Sequence, residues 1–496
     1  MKIAELITPS ITLFGGSDQI EVVGLTRDSR EVKPGYLYCA VPGTYTDGHD
    51  YIPQAIEAGA VAILCSKDPT DLPEEITVLQ SSKVSLAMSS IAAQFYGSPS
   101  NSLAVLGVTG TNGKTTTAFL MDSLLKSKFG RNGMIGTVWV DEGRGTKPAT
   151  HTTPDSINLQ KSLSKMVENG CLGVAVEISS HGILQGRTAD LSVNTAVFTN
   201  LTQDHLDYHG TMEEYYQAKK GLFTQLGKSD PEIKPCALIN IDDSYGQRLS
   251  RELSDEFPTL KQLTFGFSVD ADLRAKDIKQ SGKGVEFRLD YNGKSHLVTS
   301  PMIGLFNVRN ILAALGSTVS SKLLTMREAV TTITEATQVP GRLERVSTLG
   351  SDYHVFVDYA HTPDALINVC QSLKELEPDR LITVFGCGGD RDTSKRPLMA
   401  EAVSRYSDLC IVTSDNPRTE DPISIIKQIE KGLLGDHHLS VVDRRKAIQT
   451  AINNAKQGDI VLIAGKGHED YQIFGTEKTF FDDRNEARDA INARKS

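Results

Sequence analysis

The stretch from Leu103 to Leu120, LAVLGVTGTNGKTTTAFL, constrains this chain more than any other. An apolar run, Leu103 to Val108, ends in a glycine-rich turn that opens into good helix formers, so it predicts a buried strand, a loop and a helix. Such a loop aims backbone N–H groups and a helix N-terminus at one point, which suits phosphate oxygens. Lys114 adds a positive charge for terminal phosphates, and the hydroxyl of Thr115 or Thr116 is placed to ligate Mg²⁺. The usual phosphate loop would need glycine at 108, with four residues between it and Gly-Lys-Thr; Val108 stands there, and the glycines fall at 107, 110 and 113. Gly110-Thr111-Asn112-Gly113-Lys114-Thr115-Thr116 is therefore a variant loop. The bland alternative, a glycine-rich turn with no ligand, is the weaker reading, because Gly-Lys-Thr-Thr directly after a buried strand is uncommon by accident.

A chain of 496 residues is long enough for about three domains. Breaker clusters at Gly97–Ser102 and Gln338–Arg342 divide it into 1–99, 100–336 and 337–496. A formal charge of −10 argues against a general binder of nucleic acid or anionic membranes, though small anionic ligands need only local basic groups. The seven cysteines lack any C-x-x-C pair, which reads as reduced, buried thiols. The opening MKIAELITPS has no apolar signal core, and no apolar run nears the ~18–20 residues that span a bilayer, so a soluble, cytoplasmic protein is expected.

Within the first unit a βαβ rhythm carries two polar turns, Asp28-Ser29-Arg30 and residues 43–48, each readable as a ligand contact or a surface turn. In the second, Asn132 to Val140 reads as one strand carrying Trp139. Thr152-Thr153-Pro154-Asp155 follows, with the proline set to start a helix and Asp155 to cap it. Val174 to Ile178 is an apolar strand broken only by Glu177, whose burial needs a cation: a Mg²⁺ ligand in the favoured reading, a salt bridge otherwise. Ala196 to Asn200 leads into a loop where His205 can bind a divalent ion or simply hydrogen-bond. The helix Met212 to Phe223 carries Lys219-Lys220; exposure is expected, and nothing in the periodicity separates the two. Residues 264–300 read as short strands, and Gly304 to Asn310 opens an apolar helix, Ile311 to Ser317.

In the third unit four apolar strands each end in a polar cluster. These are Asp358-Tyr359-Ala360-His361-Thr362-Pro363-Asp364, Gly386 to Asp392, Ser414-Asp415-Asn416-Pro417-Arg418 and Gly465-Lys466-Gly467-His468-Glu469. If the strands are parallel, all four clusters share one sheet edge, where open α/β sheets hold ligands.

Taken together, the phosphate loop, Glu177-Ile178-Ser179-Ser180-His181, Asn200 to Asp207 and Asp358 to Pro363 resemble the Mur ligase family of ATP-dependent peptide synthetases, along the whole chain. Asp415 to Arg418 with Gly465 to Glu469 point within it to members that add the third peptide residue. The resemblance implies an α/β protein of three domains: a central parallel P-loop sheet for ATP, an N-terminal domain for a uridine nucleotide and a Rossmann-like C-terminal domain for the incoming amino acid. It assigns Ser29, Thr44, Tyr45 and Thr46 to the uridine end, and Thr152, Thr153, Ser179, Gln185 and Arg187 to the muramoyl-dipeptide; His151 replaces a frequent asparagine. It also assigns Asp358 and His361 to ATP beside the loop, and Thr115, Glu177, His205 and a carbamylated Lys219 to Mg²⁺. The amino acid falls to Arg391, Asp415, Asn416, Pro417, Arg418, Gly465 and Glu469.

The implied reaction converts the D-glutamyl carboxylate of UDP-N-acetylmuramoyl-L-Ala-D-Glu to an acyl phosphate, which the amine of meso-diaminopimelate attacks. Lys114, Glu177, His205 and Lys219 form the implied catalytic set, in a monomer with neither nucleic-acid nor membrane partners. Arg418 favours diaminopimelate over lysine, since a guanidinium matches its second carboxylate bidentately. The rivals are a lysine-adding relative, a folate polyglutamate synthetase and, in another class, a P-loop ATPase switch.

Overall fold

Near-continuous apolar strands such as Val105–Val108 and Ile460–Ala464 are the pattern of parallel strands covered on both faces, and they form the middle of each large sheet. The computed structural model describes residues 1–43, 46–67, 72–229, 231–347 and 352–495. Its first sheet has the strand order Thr12–Gly15, Thr77–Gln80, Ala60–Cys65, Tyr36–Cys39, Gly24–Thr26, with only the first strand antiparallel to its neighbour.

The central sheet has 11 strands. Its middle is parallel, and the phosphate-loop strand Ala104–Thr109 lies between Gly173–Glu177 and Thr195–Phe198. Alternation sends Leu106 and Val108 against the helices Lys114–Phe129 and Leu305–Ser320, while Val105 joins Phe198 and the helix Met212–Gly227 on the opposite face.

Several local expectations change. Asn132 to Val140 is two strands, Gly133–Ile135 and Trp139–Asp141, paired antiparallel. The turn between them passes Gly136, which lies against Glu177: a β-carbon there would sit 2.4 Å from its Oε1. Residues 264–300 form long antiparallel strands, Leu273–Ser281, Gly284–Tyr291 and Lys294–Ser300, rather than short ones. Pro154 precedes its helix; Ser156–Glu168 is capped by Asp155, which accepts from Asn158 N. The apolar helix starts at Leu305, six residues before Ile311.

The third large sheet runs Glu344–Arg345, His354–Asp358, Ile460–Ala464, Leu381–Phe385, Leu409–Val412, His438–Ser440, parallel except at its first pair. The four polar clusters therefore leave its C-terminal edge together, as a parallel arrangement requires. A hairpin, Tyr471–Phe474 with Glu477–Phe480, lies beside them. All seven cysteines are buried, and among the described residues none is joined in a disulfide. Among the described residues no helix is long and apolar enough to cross a membrane.

Candidate active site

The phosphate loop bends where side chains have no room. Gly113 takes φ 86° ahead of Lys114, and a β-carbon there would lie 2.3 Å from Asn310 Oδ1. Asn200 secures the loop from the neighbouring strand, accepting from Asn112 N through Oδ1 (2.9 Å) and from Thr111 N through its carbonyl (2.9 Å). Lys114 Nζ folds back onto the carbonyls of Gly110 and Thr111, at 2.8 Å each. The loop, including Thr115 and Thr116, lines a cavity of about 650 Å³.

Glu177 is fully buried at the end of its strand. Its Oε1 accepts from Thr137 N (2.9 Å), and its Oε2 accepts from the hydroxyls of Thr115 and Thr137 (3.0 Å each). Lys114 is near enough to feel its charge.

Lys219 and Lys220 part company completely. Lys220 pairs with Glu252 and Glu256, whereas Lys219 is 1% exposed and donates from Nζ to Gly110 O at 2.9 Å. Burial, reinforced by the nearby Lys114 charge, holds Lys219 well below the usual lysine pKa, which favours a neutral amine. The expectation of an exposed lysine is thus corrected. Lys219 shares the buried face of the helix with Tyr215 and Phe223, but Lys220 stands equally four residues from buried Tyr216, so spacing alone does not separate the two.

His205 lines the same cavity in a left-handed conformation (φ 52°), with its Nε2 3.4 Å from Asp204 and its ring 5.1 Å from that of His181. Among the described residues no three His, Cys, Asp or Glu side chains are grouped to hold a metal. A metal here would therefore need Thr115 and Lys219 chemistry beside the carboxylate.

His151, Thr152, Thr153, Ser179 and Arg187 form another wall of the cavity. Thr153 Oγ1 donates to Glu177 O (2.8 Å) and accepts from Ser179 N (2.9 Å), while Ser179 Oγ caps the short helix after it by accepting from Gly182 N (3.1 Å). Arg187 donates to Thr153 O (2.6 Å) and forks onto Gln185 Oε1, which places Gln185 just behind the wall. Ser29 lies apart, buried in the first unit and donating to Gln54 (2.9 Å). Thr46 is exposed there, and Thr44 and Tyr45 lie outside the described residues.

The third unit closes the cavity. Arg342 donates from Nη2 to Thr115 Oγ1 (3.0 Å) and stacks over Tyr359, and Asp364 Oδ2 accepts from Asn112 Nδ2 (2.9 Å) and Thr202 Oγ1 (3.0 Å). His361 lines the cavity, its Nδ1 2.7 Å from Tyr359 O. Asp358 also lines it, but its oxygens accept from Leu343 N (2.6 Å) and Ala360 N (2.7 Å), which fixes the Arg342 loop. The sequence reading treated Arg342 as part of a boundary and gave Asp364 no role; neither stands out without the partner it meets across the cleft.

Further along the edge, Arg391 and Arg418 converge over Gly388, where a β-carbon would lie 3.0 Å from Arg418 Nη1 and 3.9 Å from Arg391 Cγ. Arg418 is held at φ 50°, donating from Nη1 to Gly389 O (2.7 Å) and from its backbone N to Ile473 O (3.1 Å). Asp415 lies close to Gly465, which takes φ 117°: a β-carbon there would stand 2.9 Å from Asp415 Oδ2. Asn416 Nδ2 donates to Glu469 (3.0 Å), and Pro417 packs by its carbonyl against Gly389. Lys466, assigned no role from sequence, is fully buried between Asn416 and Glu469. The ring of His468 packs at a tilt, 5.0 Å from that of Tyr359, joining this set to the cavity.

Three family models match the chain: "Mur ligase family, catalytic domain" over residues 21–96, "Mur ligase middle domain" over 108–318 and "Mur ligase, glutamate ligase domain" over 341–467. The UDP-N-acetylmuramoyl-L-alanyl-D-glutamate–2,6-diaminopimelate ligase of Geobacter metallireducens is 44% identical, covering 99% of this chain and 97% of that one. Its counterpart in Geobacillus thermodenitrificans is 42% identical over 100% of both. A solved structure of an enzyme with the same name superposes with a TM-score of 0.72 at 33% identity, covering 100% of this chain and 99% of the other. A folylpolyglutamate synthase of Mycobacterium tuberculosis, solved with ADP and AMPPCP, shares the fold at 20% identity and a TM-score of 0.63, over 77% of this chain and 92% of that one.

Proposed function

The chain belongs to the Mur ligase family of ATP-dependent amide-bond-forming ligases, and from that premise we propose that it joins meso-2,6-diaminopimelate to the D-glutamyl carboxylate of UDP-N-acetylmuramoyl-L-alanyl-D-glutamate, with release of ADP and phosphate, in peptidoglycan precursor synthesis. The observation that carries this reading is one cavity lined by the phosphate loop, Arg187, His205, Lys219, Arg342, Tyr359 and His361. Tyr359 also packs against His468, in the segment that carries Lys466 and Glu469.

A carboxylate is a poor acyl donor. Its oxygen attacks the γ-phosphorus of ATP, ADP departs, and the resulting acyl phosphate accepts the amine through a tetrahedral intermediate that expels phosphate. Lys114 and the loop amides stabilise charge on the transferring phosphoryl group, with Arg342 and His361 facing it from the third unit. Thr153, Ser179 and Arg187 orient the peptide end, and Arg187 supplies the cation that a carboxylate there requires. Closure across Asn112–Asp364 excludes the water that would hydrolyse the intermediate.

The donor set fits Mg²⁺. Glu177 is a buried carboxylate met only by hydroxyl and amide donors, Thr115 offers a second hard oxygen, and a neutral Lys219 can add CO₂ to become a carboxylate-like carbamate. With His205 these residues would hold the metal, which supplies charge neutralisation for the phosphoryl oxygens. We assign the uridine end to Ser29 and residues 44–46 of the first unit. The substrate is charged and water-soluble, in keeping with our assignment of a cytoplasmic monomer without nucleic-acid or membrane partners.

Purified protein given ATP, Mg²⁺ and the UDP-linked dipeptide should release phosphate and gain a peptide product of the expected mass with diaminopimelate, and not with L-lysine. Phosphate release without any amino acid, or with L-lysine alone, would overturn the proposal.

A further inference from the structure

We infer that Lys466 is a positioning residue for the incoming amino acid: its ammonium fixes the orientation of Asn416 and Glu469, and so decides which of their atoms remain for the ligand. This deepens the reading given above and rests on it.

Lys466 follows the strand Ile460–Ala464 and one glycine, and its side chain is 0% exposed. An unpartnered ammonium at such a site is costly, so its two acceptors matter: Asn416 Oδ1 at 3.1 Å and Glu469 Oε2 at 3.1 Å. The ring of Tyr471 lies 5.4 Å from Nζ. Asn416 Oδ1 also accepts from Ile473 N at 3.1 Å. Both lone pairs of that oxygen are thereby used, and the amide cannot turn over without presenting its NH₂ to a cation and a backbone N–H. One Nδ2 proton goes to Glu469 Oε2 (3.0 Å), and the second is left as a donor for a carboxylate. Glu469 Oε2 is in turn occupied twice, by Lys466 and Asn416, and the Tyr471 hydroxyl also bonds to this carboxylate; Oε1 is the atom that Lys466 and Asn416 leave to face an ammonium. One buried cation thus sorts a donor and an acceptor into place, matching the two charges of an amino-acid head group. A neighbouring cation, Arg444, holds the two loops themselves, donating to Ala464 O (2.9 Å) and Ser414 O (3.4 Å) while paired with Asp483.

The test measures Michaelis constants for diaminopimelate and ATP in the full-length enzyme carrying Lys466→Met, Glu469→Gln, both together, or Arg418→Ala. Lys466→Met should raise KM for diaminopimelate at least tenfold and move KM for ATP less than twofold. The double variant should be no worse than the poorer single one, because the two residues act as a unit. If Lys466→Met does not fold, Lys466→Gln, which keeps a donor without the charge, is read in its place. Equal rises in both constants, multiplicative effects in the double variant, or an unchanged constant for diaminopimelate would overturn the positioning role. Arg418→Ala separates the levels. If it raises KM for diaminopimelate and Lys466→Met does not, the pocket stands and the role of Lys466 falls. If neither does, the pocket assignment falls and takes this inference with it.

Discussion

Asn112 in the phosphate loop and Asp364 at the start of a helix in the third unit are joined by a 2.9 Å hydrogen bond from the amide to the carboxylate, a contact spanning 252 residues of chain. Thr202 donates to the same oxygen at 3.0 Å. The carboxylate therefore reads whether the third unit sits over the loop. Asp364→Ala removes an interaction with a charged acceptor, worth roughly 1.5–3 kcal/mol. We expect kcat to fall at least tenfold, with KM for the UDP-linked dipeptide little changed because that substrate meets other walls. Steady-state kinetics check this; an unaltered kcat means the closure is held elsewhere.

Glu177→Gln tests the metal reading. The three donors around Glu177 include two threonine hydroxyls, which can turn and accept from a glutamine NH₂, so the fold should survive. What disappears is a negative charge beside Thr115. The Mg²⁺ concentration for half-maximal phosphate release should rise at least tenfold while the melting temperature stays near that of the parent. An unchanged Mg²⁺ titration removes Glu177 from the metal site.

Lys219 should leave a pH signature. Its folded pKa is held well below 10.5, so between those values the unfolded chain carries a proton that the native state does not. Stability from this group therefore rises with pH across that window, by at most about 1.4 kcal/mol per pH unit, and the deficit vanishes above about 10.5. In CO₂-free buffer, Lys219→Met should melt higher than the parent at pH 8, with a gap that narrows toward pH 10. The companion Lys219→Ala should lose activity and regain part of it with a short carboxylic acid. A pH-independent gap argues that Lys219 is charged in the native state, and no rescue argues against a carbamate.

Arg418→Ala should cut diaminopimelate use by two orders of magnitude or more, because a buried carboxylate loses its bidentate partner. The φ of 50° at this position means that the backbone is already strained for a side chain, so Arg418→Gly should lose the same activity yet be the more stable of the two variants. Paired kinetics and melting curves test both halves.

That the polar clusters of the third unit share one edge was legible because four apolar runs each ended in a polar group, and parallel pairing leaves only one edge for them; the order of the strands was not. The phosphate loop was legible for a similar reason, since its glycines and lysine follow directly from a buried strand. Long-range partners were not. Lys219 reads as a surface charge until Gly110 is placed 109 residues away, Arg342 reads as a boundary until it meets Thr115, and Lys466 has no meaning without Asn416. The reversal at Gly136 was hidden in the same way, because the side chain that excludes a β-carbon belongs to another strand. Local pattern fixes which residues are buried on average; it says little about a buried charge, whose location depends on one partner.

His468 supplies the last test, since burial pulls its pKa down to about 3, with Arg342 and Arg484 adding to the shift. Its Nδ1 is buried without a hydrogen bond and its ring packs on Tyr359, so an N–H formed there on protonation would have no acceptor. The unfolded chain protonates this histidine near 6.5, and the native state does not until about 3. Native stability from this group is therefore full above 6.5 and is lost as pH falls through the window between those values. At pH 5 the loss is about 2 kcal/mol relative to pH 7. His468→Gln cannot titrate, so whatever its cost at pH 7, it should gain about 2 kcal/mol on the parent by pH 5, as read from urea unfolding at the two values. A parallel loss in both proteins would mean that His468 is protonated in the folded state, and the Tyr359 stack would then have to carry a cation beside Arg342.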